Sequence, residues 1–277
     1  MPAETSSVVA FAEHLGRHAL TAFLIGLLMV VVAGGLAGVL LHRRHARRTQ
    51  PDVGRAPPTT RLFAGIAMGF ATILGAASLF AAIARRLGPG RTMGLADQAL
   101  ADAIAQSTPE AALRAFGLLT HFGDPLVLAL LCAMVAWWLW RKAERLLALG
   151  WVMALAGNAL LNPLLKQVFE RARPLHDHGL ALATGFSFPS GHSSGAAVAY
   201  GMLLYVAVRV LPARWHPVAA MVAVALVVTT ACSRVFLRVH FASDVAAGLL
   251  SGLSWLGVCV ASLEFARRKA SRPRNPA

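Results

Sequence analysis

KQVFERARP (Lys166–Pro174), FPSGHS (Phe188–Ser193) and SRVFLRVHFASD (Ser233–Asp244) are polar clusters set into otherwise apolar sequence. Working outward from them, the chain is a series of apolar runs: 194–211, 217–237 and 245–265 downstream, 125–140 and 146–165 upstream, then 62–84 and 19–41. A span needs about 20 apolar residues, so runs of this length predict membrane helices. Composition agrees. The 277 residues are 57% hydrophobic and 14% charged, against about 25% charged in a soluble domain. The expected fold is therefore all-α, an integral membrane helical bundle of seven spans.

The N-terminal run 19–41 ends in HRRHARR. A cleaved signal would carry its charge ahead of a shorter apolar region, so this run reads as a retained helix with its N-terminus outside. It and the Pro-rich basic loop 49–61 form an N-terminal unit, 1–61. The core is expected over 62–266, and 267–277 is a basic tail. Residues 88–124 differ, holding Asp97, Asp102, Glu110 and Asp124 against Arg91 and Arg114. Leu95, Leu100, Ile104, Leu113, Phe116 and Leu119 recur at near-helical spacing there. Helices lying on the membrane surface and helices packed on the bundle both fit that pattern.

The formal net charge of +14 is not that of a nucleic-acid binder. Of 26 Lys and Arg, six lie in 42–61, three in 141–145, two in 209–216 and five in 267–274. These are short segments flanking spans, the distribution of cytoplasmic loops, and no basic domain exists apart from them. Placing them inside puts 88–124, 166–193 and the 237–245 junction together outside. Trp137, Trp138, Trp140 and Trp215 are placed as interfacial anchors. Cys132, Cys232 and Cys259 sit in apolar runs as packing residues. His14/His18 and His42/His45 have helical spacing but no further ligands, and read as solvated.

The polar clusters hold what phosphoryl chemistry needs. Lys166 and Arg173 are cations at the end of a span, suited to a diffuse anion. Pro189-Ser190-Gly191-His192 precedes an apolar run, and a Gly-bearing helix start aims N–H groups and the positive dipole end at an anion. It is equally the form of a plain helix start. His240 and Asp244 are four apart, on one helical face if a helix begins near them. There a carboxylate can hold one ring nitrogen protonated and leave the other as nucleophile. Arg234 lies close enough to reach the same anion.

Lys-x6-Arg-Pro, Pro-Ser-Gly-His and Ser-Arg-x5-His-x3-Asp, in that order, resemble the three-part signature of the type-2 phosphatidic-acid phosphatase family. That superfamily also includes vanadium haloperoxidases and glucose-6-phosphatase. The resemblance covers six spans from Leu62 onward and leaves 19–41 as one extra N-terminal transmembrane helix. It implies that Lys166, Arg173, Arg234, Ser190 and the Gly191 amide bind phosphate. It further implies that His240 is the nucleophile, Asp244 orients it and His192 protonates the leaving oxygen, with no metal and no cofactor. Ser233 falls in the motif as a support for Arg234. Arg171, Arg238, His176, His178 and Asp177 lie nearby, either touching a headgroup or simply at the surface.

The expected activity is hydrolysis of a phosphorylated lipid drawn from the membrane, at the outer face of a bacterial inner membrane. Undecaprenyl diphosphate, phosphatidylglycerol phosphate and phosphatidic acid are the substrates that resemblance to compact bacterial members implies. A lipid A phosphatase and a lipid phosphotransferase share the motifs. An anionic-lipid transporter is the non-enzymatic alternative, but binding alone needs neither His192 nor His240.

Overall fold

The computed structural model describes residues 2–48, 59–88, 90–174 and 183–270. The Pro-rich segment 49–58, His176, Asp177, His178 and residues 271–277 lie outside that set, as do the side chains of His42 and His45. Ten α-helices are present among the described residues: α1 (Pro2–Arg17), α2 (Ala19–Arg48), α3 (Thr59–Arg85), α4 (Thr92–Ser107), α5 (Glu110–Leu119), α6 (Pro125–Arg141), α7 (Arg145–Phe169), α8 (Gly191–Val210), α9 (His216–Phe236) and α10 (Ala242–Ala270).

All seven expected apolar runs are helical. Five of these helices, α2 and α7 to α10, are long and apolar enough to cross a membrane. α6 follows α5 across a 45° bend at Asp124, where Asp124 stands before a Pro at the first helical position. α3 is apolar over its Gly69–Arg85 part. Short connections join α6 to α7, α8 to α9 and α9 to α10, and each of these pairs runs in alternate directions. The C-terminal ends of α7 and α9 and the N-terminal ends of α8 and α10 meet at one end of the bundle. Arg141, Arg145, Arg209, Arg214 and Arg267 stand at the other end.

α8 is the central post, buried along most of its length. Val198, Met202 and Val206 on it pack with Leu139 of α6, Leu147 and Trp151 of α7 and Leu263 of α10. Two indole N–H groups tie helices together, Trp151 to Cys132 O at 2.9 Å and Trp255 to Ala154 O at 2.8 Å. Such interhelical bonds contribute only about 0.6 kcal/mol on average, so close backbone packing carries more of the association. Gly248 and Gly252 show it. A Cβ at either would come within 2.5 Å of Ser190 O or 2.7 Å of Ser194 O, so only glycine lets α10 press against the start of α8. Outward-facing Leu130, Met134, Leu160, Leu164 and Phe265 form an apolar exterior. Trp137, Trp140 and Trp215 are exposed near the basic end, and Arg141 and Arg145 lie over Trp137 and Trp140.

Residues 88–124 pack on the bundle, which decides between the two readings of their periodicity. Ile104 and Phe116 are buried with Phe236, Leu237 and Val239, and Phe116 stacks on Phe236 at 4.2 Å. Residues 2–17, unremarkable as sequence, form α1 against α4. The cysteines are free and half-buried, in keeping with packing roles.

Candidate active site

The convergence of helix ends builds the site. α7 stops at Glu170, which adopts a left-handed backbone (φ 45°), and releases Arg171 and Arg173 on an extended segment. The returning strand of chain is fixed by Ser187 N–H to Arg171 O at 2.7 Å. Phe188 is held between Phe80 and Phe169, with ring centroids 5.4 and 5.0 Å away. α9 ends at Phe236, and a second left-handed residue, Arg238 (φ 49°), turns the chain so that His240 faces inward. Left-handed backbone is costly for non-glycine residues and clusters at functional positions.

His240 is buried beside Arg173, whose Nη1 donates to His240 Nε2 at 3.1 Å. A guanidinium only donates, so Nε2 carries the lone pair and the ring proton sits on Nδ1. Nδ1 lies 3.3 Å from Ser187 Oγ and 3.5 Å from Asp244 Oδ2, while the Ser187 hydroxyl donates to Asp244 Oδ2. The imidazole thus reaches the carboxylate largely through a serine. Burial pushes the His240 pKa down to about 3, against an opposing pull from Asp244, so the ring is neutral at ordinary pH. Asp244 is fully buried and also accepts from Phe241 N at 2.9 Å and Arg171 Nη1 at 2.6 Å.

Around Nε2 stand the cations. Lys166 Nζ donates to Phe186 O at 2.6 Å. Arg173 also holds the carbonyls of Thr184, Gly185, Phe186 and Val239 at 2.7–3.1 Å. Its five donors are therefore engaged, and the one facing Nε2 is the one an entering phosphoryl oxygen can take over. Burial lowers the Arg173 pKa, with Asp244 opposing, but a guanidinium stays charged. Arg234 is buried, donates to Thr120 Oγ1 at 2.6 Å, and its Nε has no partner. A buried charged donor left unbonded is expensive, and an anion here would satisfy it.

His192, in the first turn of α8, donates from Nε2 to Asp124 Oδ1 at 2.9 Å. Asp124 Oδ2 accepts from His121 at 2.5 Å. Burial works to raise the Asp124 pKa, but the two histidine bonds prevail and hold it below the usual carboxylate range.

A cavity of about 910 Å³ joins these groups. Lys166, Arg173, Gly191, His192, Arg234 and His240 line its polar end. Leu128, Ala129 and Cys132 of α6 and Val152, Leu155 and Ala156 of α7 line its apolar part. From Lys166 to Val152 this is about 20 Å along α7, at 1.5 Å per residue.

The structure thus brings together all the expected site residues except Ser190. Ser190 is fully buried behind the cavity, where its Oγ caps α8 by accepting from Ser193 N at 3.4 Å and Ser193 Oγ at 2.9 Å. Sequence reasoning did not single out Thr120, Asp124, Ser187 or Asp97, and left Arg171 between a headgroup and a surface role. Arg171 is in fact bonded to Asp97 and Asp244. The acidic character of 88–124 was the one signal of the two aspartates.

Converging helix ends of an integral membrane bundle thus bring the Nε2 lone pair of His240 into one cavity with Lys166, Arg173 and Arg234, an arrangement that can hold an anion beside the ring. The chain belongs to the PAP2 superfamily, whose model matches residues 145–268. It is 40% identical over 99 residues to phosphatidylglycerophosphatase B of Bacillus subtilis (strain 168), a match covering 35% of this chain and 48% of that protein. It is 31% identical over 186 residues to the lipid A 1-phosphatase of Rhizobium etli, covering 57% and 74%. The chain thus spans about half the length of the first of these relatives and three quarters of the second. The crystal structure of the first transmembrane PAP2 type phosphatidylglycerolphosphate phosphatase from Bacillus subtilis superposes with TM-score 0.66 at 26% identity, covering 74% of this chain and all of that one.

Proposed function

We propose that this protein hydrolyses a phosphate monoester or diphosphate of a membrane lipid through a phosphohistidine on His240. The observation that carries the reading is the Nε2 lone pair of His240, facing Arg173 in a cavity that runs from three cations into the apolar layer between α6 and α7. The phosphoryl group sits among Lys166, Arg173, Arg234 and the Gly191 amide, and the lipid chain follows the apolar part of the cavity. A soluble sugar phosphate would leave that part empty. The names of the two relatives, a phosphatidylglycerophosphatase and a lipid A 1-phosphatase, support a lipid substrate. Phosphatidylglycerol phosphate, lipid A, phosphatidic acid and undecaprenyl diphosphate are the compounds to assay.

In the first step Nε2 attacks phosphorus in line. The P–N bond forms as the P–O bond breaks, and His192 gives its proton to the departing oxygen. His192 acts here as the imidazolium, its charge supported by Asp124 and by the anionic substrate: Nε2–H stays on Asp124 and the Nδ1 proton goes to the leaving oxygen. Ser187 and Asp244 stabilise the positive charge arising on His240 at Nδ1–H. The three cations compensate the equatorial oxygens in a low-dielectric cavity. Water, deprotonated by His192, then displaces His240 and releases phosphate. No metal enters this scheme. The basic loops at the opposite end of the bundle support an extracytoplasmic site.

The experiment is phosphate release by protein purified in detergent, from each of the four lipids and from glucose-6-phosphate, with a chelator present. Wild type is expected to release phosphate from a lipid and His240→Ala not to. Release only from glucose-6-phosphate, or complete loss on adding chelator, contradicts the reading.

A further inference from the structure

Two side chains outside the expected catalytic set converge on Asp244. Arg171 Nη1 donates to Asp244 Oδ1 at 2.6 Å and Nη2 to Asp97 Oδ2 at 2.8 Å, with its guanidinium 4.3 Å above the Phe241 ring. Asp97 in turn accepts from Ser243 N at 3.2 Å and from the Ser243 hydroxyl. Asp97 and Asp244 are both buried. One guanidinium therefore bridges two buried carboxylates at the first turn of α10.

We propose that Asp97, acting through Arg171, is a positioning residue for the His240 nucleophile. The inference rests on the phosphohistidine reading above. Asp97 comes from α4, outside the residues 145–268 that match the family model. It performs two tasks. It caps α10 from another helix, fixing the turn that carries Asp244. It also shares the charge of Arg171. With Asp97 ionised, the cluster keeps one net negative charge to draw on the Ser187 and His240 protons. Without it, Arg171 neutralises Asp244 and the hold on Nδ1–H weakens.

α4 is firmly seated for this purpose. A Cβ at Gly16 of α1 would lie 2.6 Å from that of Ala103, so α1 and α4 are in backbone contact. Ser107 Oγ donates to Gly16 O at 3.0 Å. α1 thus braces the helix that positions the nucleophile.

The test compares wild type, Asp97→Asn, Asp97→Glu and Arg171→Lys on the lipid that wild type hydrolyses. It reads the single-turnover rate of phosphoenzyme formation, KM, and competitive inhibition by inorganic phosphate, a tetrahedral anion that reports the cation cradle without a bond to His240. Asp97→Asn keeps an acceptor for Ser243 but removes the charge. It should slow phosphoenzyme formation about tenfold to hundredfold, the scale of a small misplacement of a reacting group. KM and inhibition by inorganic phosphate should stay within about threefold. Asp97→Glu should recover part of the rate. Arg171→Lys cannot bridge both carboxylates and should show the same split, carrying the test if Asp97→Asn does not fold. A wild-type rate in the tested variant overturns the proposal, as does parallel loss of rate and phosphate binding, which would mark a merely structural role. If the wild type itself releases no phosphate from any lipid, the underlying reading fails and this one with it.

Discussion

His240 and Asp244 are buried to 3% and 0% exposure, whereas in the other histidine–aspartate pair the Asp124 side chain is 32% exposed. The first pair is held on every side by Ser187, Arg171, Arg173 and the Phe241 amide. The second stands at the bend between α5 and α6, and His121 on its outer side reaches solvent. A nucleophile has one position to occupy and gains from being fixed. On the proposed mechanism, the group that gives and takes protons in alternate steps exchanges them with water, and the half-open pair suits that role.

Breaking the buried pair should have the largest effect. His240→Ala removes the nucleophile and should lower kcat by about 10⁴-fold or more, measured as phosphate release. Asp244→Asn keeps the shape and loses the charge, so a drop of about 10²- to 10⁴-fold is expected. On the open side, His192→Ala should cost about 10²- to 10⁴-fold. Asp124→Asn should cost less, about tenfold, because His192 keeps its ring and loses only its partner. His121→Ala should stay within about threefold, and an effect as large as that of Asp124→Asn would mean that proton exchange with water runs through His121.

The smallest effect concerns pH. The folded His240 pKa of about 3 lies below the ordinary 6.5. The unfolded chain therefore takes up a proton first as pH falls, and stability present above pH 6.5 is lost progressively between 6.5 and about 3. The melting temperature of wild type should fall more than that of His240→Gln between pH 7 and 4. Equal falls would show that His240 is not buried in its neutral form.

The unequal pairs also mark what was legible in the sequence. The spans were readable because apolar runs are bounded by charge. His240 and Asp244 were readable because four residues separate them on one short motif. Asp124 and Asp97 lie far from their partners His192 and Arg171 in the chain, and only the fold of α4 to α6 onto the bundle brings them near. Arg171 stood inside a motif, yet a lone arginine at a membrane edge looks the same whether it meets headgroups or a buried aspartate. The periodicity of α4 and α5 fitted a lipid surface as well as a bundle. The cap that Ser190 forms on α8 was not legible, because a helix-capping serine and a phosphate-binding one precede the helix alike.

The most direct test of the phosphohistidine is rapid quenching of the enzyme mixed with lipid carrying a radiolabelled phosphate, followed by mapping of the label. An acid-labile, base-stable label on the peptide containing His240, absent from His240→Ala, is the predicted result. Phosphate release at the wild-type rate by His240→Ala, with no labelled protein in either, would contradict it.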